Sequence, residues 1–416
     1  MNILHINKHD KVGGAANAMY RLHEGLNAAG HNSRLMVDVK TSDEPGIESI
    51  SSQTSAFRVF AGGLLDKFGN RFDRHLGFGK WSCRNSWRIA KTEMFLDADI
   101  VNLHNLHGGY FNFRALDDLN ALKPIVWTLH DMNSFTGHCA FSYHCDEFIK
   151  GCDHTCPIPD VYPALPKGRI AANWFLHKEF FETHYHLAAV CPSEWLAKKA
   201  LKGFWRNHRV EVIPYGVDSA IFHPLDKKEA RKTLGVEPNG KYALFIAKNI
   251  DDPRKGADFF FDALKKININ GLKIFICGDG EIDAETKYPV INIGLIHDEK
   301  LLRAAYCAAD IFAAPSLADN LPNTVLESMA CGTPVVAFDT GGIPEMISHM
   351  ETGYVAGYKD TDDLARGMQT LLNDENLVSV MSSRCVPYAR ERYSPRLIAE
   401  KYAGFYGEVI ELHSKK

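Results

Sequence analysis

Short apolar runs alternate with amphipathic stretches along nearly the whole of this chain, and that alternation leaves few folds open. Residues 2–6, 34–39, 99–103, 125–129, 187–191 and 210–213 are apolar runs of strand length. Residues 16–29 place Met19, Leu22 and Leu26 on one helical face, with Gly30 as a stop. After Pro224 the pattern restarts, with strand candidates at 242–247, 272–277, 290–293, 311–313 and 335–338 and helical stretches between them. Strands that alternate with helices predict parallel sheets covered on both faces. A chain of 416 residues is too long for one ordinary core, so two such domains are expected. The seam is expected at 214–228, where Pro214, Gly216, Asp218 and Pro224 interrupt the periodicity. The expected division is 1–218, then 219–394, then an amphipathic closing segment at 395–416 marked by Leu397, Tyr402, Phe405 and Ile410. The sequence shows no short-period repeat and no low-complexity tract.

Composition excludes several classes. Hydrophobic residues are 45% and charged residues 24%, values of a globular protein rather than a disordered or collagen-like one. A formal net charge of -4 gives no general attraction to nucleic acid or membrane. No apolar stretch approaches the roughly 18–20 residues that span a bilayer. The first ten residues carry charge directly after one short run, without a signal-peptide core, so a cytoplasmic chain is expected. One segment, 58–91, departs from the average. It holds Arg58, Lys67, Arg71, Arg74, Lys80, Arg84, Arg88 and Lys91 against only Asp66 and Asp73, interleaved with Phe60, Phe68, Phe72, Phe78, Trp81 and Trp87. That composition suits peripheral contact with the inner face of a membrane, but local charge runs are usually surface, which favours a solvated helical face whose aromatics lie in the core.

The strongest chemical signal is 314–332. It follows a strand candidate, breaks at Pro322 and opens a helix at Asn323 or Thr324, either of which can cap it. First-turn amides lack internal partners and carry the positive end of the helix dipole, which makes a phosphate site where ligands of parallel sheets bind. Glu327 lies about one turn into that helix, where a carboxylate can accept two bonds from the vicinal diol of a ribose. Asp319 stands on the preceding loop within reach of a sugar hydroxyl.

The spacing Asp319-x7-Glu327, with Ser328 to Val336 after it, resembles the E-x7-E motif of family-4 glycosyltransferases of the GT-B fold. The resemblance covers nearly the whole chain. Val212 to Asp218 and Phe222 to Pro224 are similar to that family's linker entry, and Ala247 to Gly256 to its basic phosphate loop. Ile276 to Gly280, Ile293 to Ile296, Ala308 to Ser316, Asp339 to Glu345 and Glu351 to Val355 follow in the family's order. It implies an α/β chain of two Rossmann-like domains facing across a cleft, with the C-terminal helix crossing back to the N-terminal domain. It implies donor contacts from Lys255 first, then Lys248 and Arg254, and from Gly278, Leu295, Ile296, Asp319, Asn320, Leu321, Asn323, Thr324 and Glu327. Two features depart from the family pattern: Asp319 stands where Glu is usual and is one methylene shorter. Lys248 stands where Arg is usual, and Lys binds phosphate as a point charge rather than a fork.

The N-terminal half supplies the other candidates. Gly13 and Gly14 follow the first strand and precede a helix, where backbone can approach a phosphate or sugar; a plain turn requires the same residues. His130 and Asp131 end a strand at the edge where ligands sit. In the family a His at this strand end contacts the donor hexose, which implies His130 as a catalytic residue, with Asp131 either orienting it or approaching the acceptor. His104 and His107, from the preceding strand end, are candidates for the acceptor side. Directly after follow Cys139, Cys145, Cys152 and Cys156, within a Cys-rich insertion at 138–157. Their spacing lacks paired knuckles, and a structural Zn²⁺, disulfides and reduced thiols all remain open. A similar Cys-containing insertion occurs in the family's exopolysaccharide-building branch, which implies a structural role. Of the other cysteines, Cys191, Cys277 and Cys331 are expected to be buried thiols.

The expected activity is transfer of a hexose, with retention, from UDP- or GDP-hexose to a saccharide or lipid-linked saccharide acceptor. Asp319 and Lys255 join His130 and Asp131 in the catalytic set, and positive side chains stand in for a metal, so no cofactor is expected. The alternatives are a sugar-nucleotide epimerase or a phosphorylase on the same fold, and a catalytically idle donor-binding subunit.

Overall fold

The computed structural model describes residues 1–50, 83–183, 187–281 and 285–415. The chain divides into two compact units, Met1–Tyr215 with Pro395–Lys416, and Gly216–Ser394. Most of the basic segment 58–91 lies outside the described residues. Among the described residues no helix is long and apolar enough to cross a membrane.

The first unit is built on β1 (Asn2–His9), β2 (Asn32–Val39), β3 (Ile47–Ser49), β4 (Ile100–Leu103), β5 (Ile125–Thr128), β6 (Ala188–Cys191) and β7 (Arg209–Val212). These form a seven-stranded sheet in the order β3-β2-β1-β4-β5-β6-β7, with every pairing parallel. Strands β4, β5 and β6 are buried at every residue, which explains why they stand in the sequence as mostly apolar runs. The order reverses between β1 and β4, and ligands of such sheets bind beyond the strand ends at that switch.

The closing helix Pro395–Ser414 belongs to this first unit. Its Ile398, Tyr402, Phe405, Tyr406 and Val409 share a core with Ile3, Leu22, Leu26, Ile100 and Val126. The Tyr406 hydroxyl lies 2.6 Å from Asn102 Nδ2, and the Tyr402 hydroxyl 3.2 Å from Thr128 Oγ1. Both bonds satisfy polar atoms inside an otherwise apolar face. The helix therefore crosses back in sequence to the domain built from the first half of the chain.

The second unit carries β8 (Lys241–Asn249), β9 (Leu272–Asp279), β10 (Val290–Asn292), β11 (Ile311–Ala314), β12 (Val335–Phe338) and β13 (Gly353–Ala356). They form a parallel six-stranded sheet ordered β10-β9-β8-β11-β12-β13, with its switch between β8 and β11. Both units are thus Rossmann-like parallel sheets. The sequence pattern leaves out two strands, β3 and β13. Each lies at a sheet edge and is only partly buried, so neither carries the signal of a strand covered on both faces.

Candidate active site

In the second unit the chemistry gathers at the β8/β11 switch. The loop after β8 carries Arg254 and Lys255, and the loop after β11 carries Asp319. Two glycines let these loops close on their neighbours. Gly256 has φ +72, and a Cβ there would stand 2.0 Å from Pro315 O; Gly341 has φ +59, and a Cβ would stand 1.7 Å from Asp319 O. No other residue fits either position without moving backbone.

The Lys255 ammonium donates to Asp319 Oδ2 at 2.6 Å, and Arg254 Nη1 lies 3.5 Å from the same oxygen. Arg254 also donates to Ala318 O at 3.1 Å and pairs with Asp252 at 3.1 Å. Burial opposes ionisation of Asp319, but the Lys255 and Arg254 charges prevail and hold its carboxyl below the usual range. The cations are partly open to solvent, with 22% and 24% of the Lys255 and Arg254 side chains exposed, against 12% for Asp319. The cations are thus more open to solvent than the Asp319 carboxylate they share. Lys248 is exposed at the end of β8.

The helix Asn323–Ala330 starts just beyond this cluster. Its N-cap is Pro322, and no side chain caps it. This corrects the expected cap: Asn323 and Thr324 are the first two helical residues, because Pro322 already supplies the extended backbone an N-cap needs. Glu327 is buried and accepts from the Tyr306 hydroxyl at 3.0 Å, which fixes Oε2 of its carboxylate. Gly278 donates to Gly294 O at 3.0 Å, which brings the end of β9 beside Leu295 and Ile296. Asn320 and Leu321 are buried between Asp319 and the helix start.

In the first unit the candidate residues collect at the β1/β4 switch. His104 Nδ1 and His130 Nε2 are 2.9 Å apart, and His130 Nδ1 lies 2.6 Å from the Tyr215 hydroxyl. His5 Nδ1 lies 3.0 Å from His104 Nε2. His107 Nε2 meets Asp131 Oδ2 at 2.9 Å, and its Nδ1 lies 3.2 Å from the Tyr162 hydroxyl. Asp131 therefore orients His107 directly. The expected pairing of Asp131 with its neighbour His130 gives way to one across adjacent strand ends. Burial pushes the His130 imidazole down to about 4; the Asp131 carboxylate opposes this, and His107 adds to it. Burial likewise works against Asp131, but the His107 charge and hydrogen bond hold its carboxyl below the usual range.

Gly13 has φ +99 and is the N-cap of the helix Gly14–Ala28, with open space where a Cβ would stand. His5 and Tyr215 escaped the sequence reasoning. A histidine in the apolar run of β1 was the available signal for His5. Tyr215 lay hidden in the seam.

The four clustered cysteines are unpaired thiols, so no disulfide is realised there. They line one small cavity with His138, and His138 Nε2 lies 3.6 Å from Cys156 Sγ. Among the described residues no three His, Cys, Asp or Glu side chains are grouped so as to hold a metal ion, so the geometry does not assemble the zinc site. Burial pushes the Cys139 and Cys152 thiols up to about 12, the state of packed neutral thiols. Cys191, Cys277 and Cys331 are buried thiols as expected.

Comparison with known proteins adds an independent line. A family model described as Glycosyltransferase Family 4 matches residues 12–220, and one described as Glycosyl transferases group 1 matches residues 240–374. The WcaC glycosyl transferase of Escherichia coli, whose name places it in colanic acid biosynthesis, is 24% identical over 98% of this chain and 99% of its own. Among solved structures, sucrose-phosphate synthase from Thermosynechococcus elongatus superposes with a TM-score of 0.69 at 17% identity, covering 99% of this chain and 100% of that one. Anabaena HepE, solved in complex with UDP, gives 0.67 at 16% identity over 98% of this chain and 100% of its own. At such identities the two likenesses concern the fold, and both span the full chain.

Proposed function

This chain belongs to glycosyltransferase family 4, and on that premise we propose that it transfers a hexose, with retention, from a nucleoside-diphosphate sugar to a saccharide or lipid-linked saccharide. The observation that carries this reading is the partly exposed Lys255–Arg254 pair beside the uncapped start of the helix Asn323–Ala330. Two cations beside the positive end of a helix at one switch point suit a diphosphate. As the glycosidic bond breaks, negative charge grows on that diphosphate, and fixed positive groups favour the change more than they favour the bound donor. Lys255 is already held in place by Asp319, so its ammonium need not be ordered at the moment of reaction.

Glu327 then receives the ribose hydroxyls, and Asp319 shares its carboxylate between Lys255 and the hexose. His130 serves the reacting end of the hexose, and the His107–Asp131 pair the acceptor side. The name of WcaC points to cell-surface polysaccharide as the class of product. The HepE complex makes UDP the first nucleotide to try.

The test is a thermal-shift screen of UDP- and GDP-hexoses on wild type and Glu327→Gln. A bound donor stabilises only the folded state, by about 2.7 kcal/mol at a hundred times its Kd. One donor class should raise the melting temperature of wild type, and Glu327→Gln should lose most of that rise. No shift with any nucleotide sugar would overturn the reading. Products formed from the nucleotide sugar alone, without acceptor, would turn it toward an epimerase.

A further inference from the structure

We propose that His5, His104 and Tyr215 are positioning residues for His130, joined to it in a one-way hydrogen-bond chain that holds all three imidazoles in the Nδ1–H form. The chain crosses neighbouring strands at the switch of the first sheet. His5 lies in β1, His104 follows β4 and His130 follows β5. Parallel pairing sets His5 opposite Asn102, two residues before His104, so both rings stand on the same face. Trp127 Nε1 donates to His104 O at 2.8 Å and fixes the backbone of the middle member.

The direction follows from counting protons. A neutral imidazole has one N–H and one bare nitrogen. His104 and His130 each engage both ring nitrogens, at 3.0 and 2.9 Å for His104 and at 2.9 and 2.6 Å for His130. Donation at one nitrogen therefore requires acceptance at the other, and fixing any one bond fixes the rest. Burial keeps all three rings neutral: His5 is pushed down to about 3, His130 to about 4, and His104 well below its ordinary value.

Only two directions remain. If the Tyr215 hydroxyl donates into the chain, the last ring must carry its proton on His5 Nε2. That atom is buried in a fully buried residue and has no hydrogen-bond partner among the described residues. A stranded N–H of that kind is rare in folded proteins and costly. In the opposite direction His5 Nδ1 donates to His104, His104 Nδ1 to His130, and His130 Nδ1 to the Tyr215 oxygen. His5 Nε2 is then a bare nitrogen, and Tyr215 turns its own proton away from the chain.

The functional weight of this chain rests on the reading of His130 as serving the transfer. Both nitrogens of His130 are engaged in this structure, so a hexose meets that ring by exchange with Tyr215 or through the Tyr215 hydroxyl. A ring locked as Nδ1–H presents the same polarity at every turnover, whereas a loose one would divide between two forms.

The test has a spectroscopic arm and a kinetic arm on the full chain. With nitrogen-15 in the histidines, the His5, His104 and His130 resonances should report Nδ1–H rings at neutral pH; an Nε2–H ring at His130 would overturn the proposal. His5→Leu removes the first donor, and kcat should fall roughly tenfold with the donor KM held within about twofold. His5→Asn puts an amide N–H where Nδ1–H stood and should recover most of that loss. Equal turnover in His5→Leu, His5→Asn and wild type would overturn the chain even if His130→Ala were inactive. An active His130→Ala protein would instead overturn the catalytic reading, and Nδ1–H resonances in wild type would still support the chain. Should His5→Leu fail to fold, the wild-type resonances decide alone.

Discussion

The two switch points of this molecule solve the same problem in opposite ways. In the first unit, a file of three imidazoles between strand ends is made neutral: His5, His104 and His130 are buried, and burial drives each imidazole below its ordinary range. In the second, they stay charged: Lys255 and Arg254 keep Asp319 ionised despite its burial. A neutral chain gives direction and tautomer but little field. A charged cluster gives field but depends on every member being paired. The difference fits a division of labour in which one domain orients reacting groups and the other holds an anion.

The comparison breaks most sharply at Lys255. Lys255→Ala should lower turnover by roughly 10²–10³-fold, the usual cost of removing one fixed group that stabilises transition-state charge. Steady-state kinetics check this, with melting measured alongside because Asp319 loses its nearest partner. Full donor turnover in that variant would remove the phosphate assignment.

Acid should separate the two networks by their pH windows. The imidazoles have depressed folded values, so the unfolded chain binds protons first. Their contribution is complete above the unfolded value of about 6.5 and is lost as pH falls toward about 4. Asp319 is also depressed, so its contribution persists through that window and fades only below the ordinary carboxylate value of 3.8. Calorimetry between pH 7 and 4 should show unfolding taking up about one proton per relay histidine, and His5→Asn should remove about one. A stability flat across that window would mean that the histidines take up protons alike in the folded and the unfolded chain.

The smallest effect is expected at Lys248. It is exposed at the end of β8, and an exposed ion pair is worth about 0–1 kcal/mol. Lys248→Ala should weaken UDP binding by less than about fivefold in a titration, far less than Lys255→Ala. Equal losses would place the two lysines on the same phosphate.

Much of this was legible in the residues. Strands β4, β5, β6 and β12 appear as mostly apolar runs because a parallel strand is covered on both faces. Lys255, Asp319 and Glu327 stand in one ordered set of motifs, and the fold brings Lys255 and Asp319 into contact. The relay was not legible. His5 and His104 are 99 positions apart, and no local pattern links a lone histidine in β1 to one after β4. Asp131 likewise meets His107 rather than its neighbour His130.

The sequence by itself determined most of the strands, the alternation with helices and where the charged loop lies, because periodicity and charge are local properties. Only the tertiary structure decided which polar groups touch, and so which are neutral and which are charged. Protonation depends on burial and on partners from distant strands. Those are fixed by strand order and register, which no single segment carries.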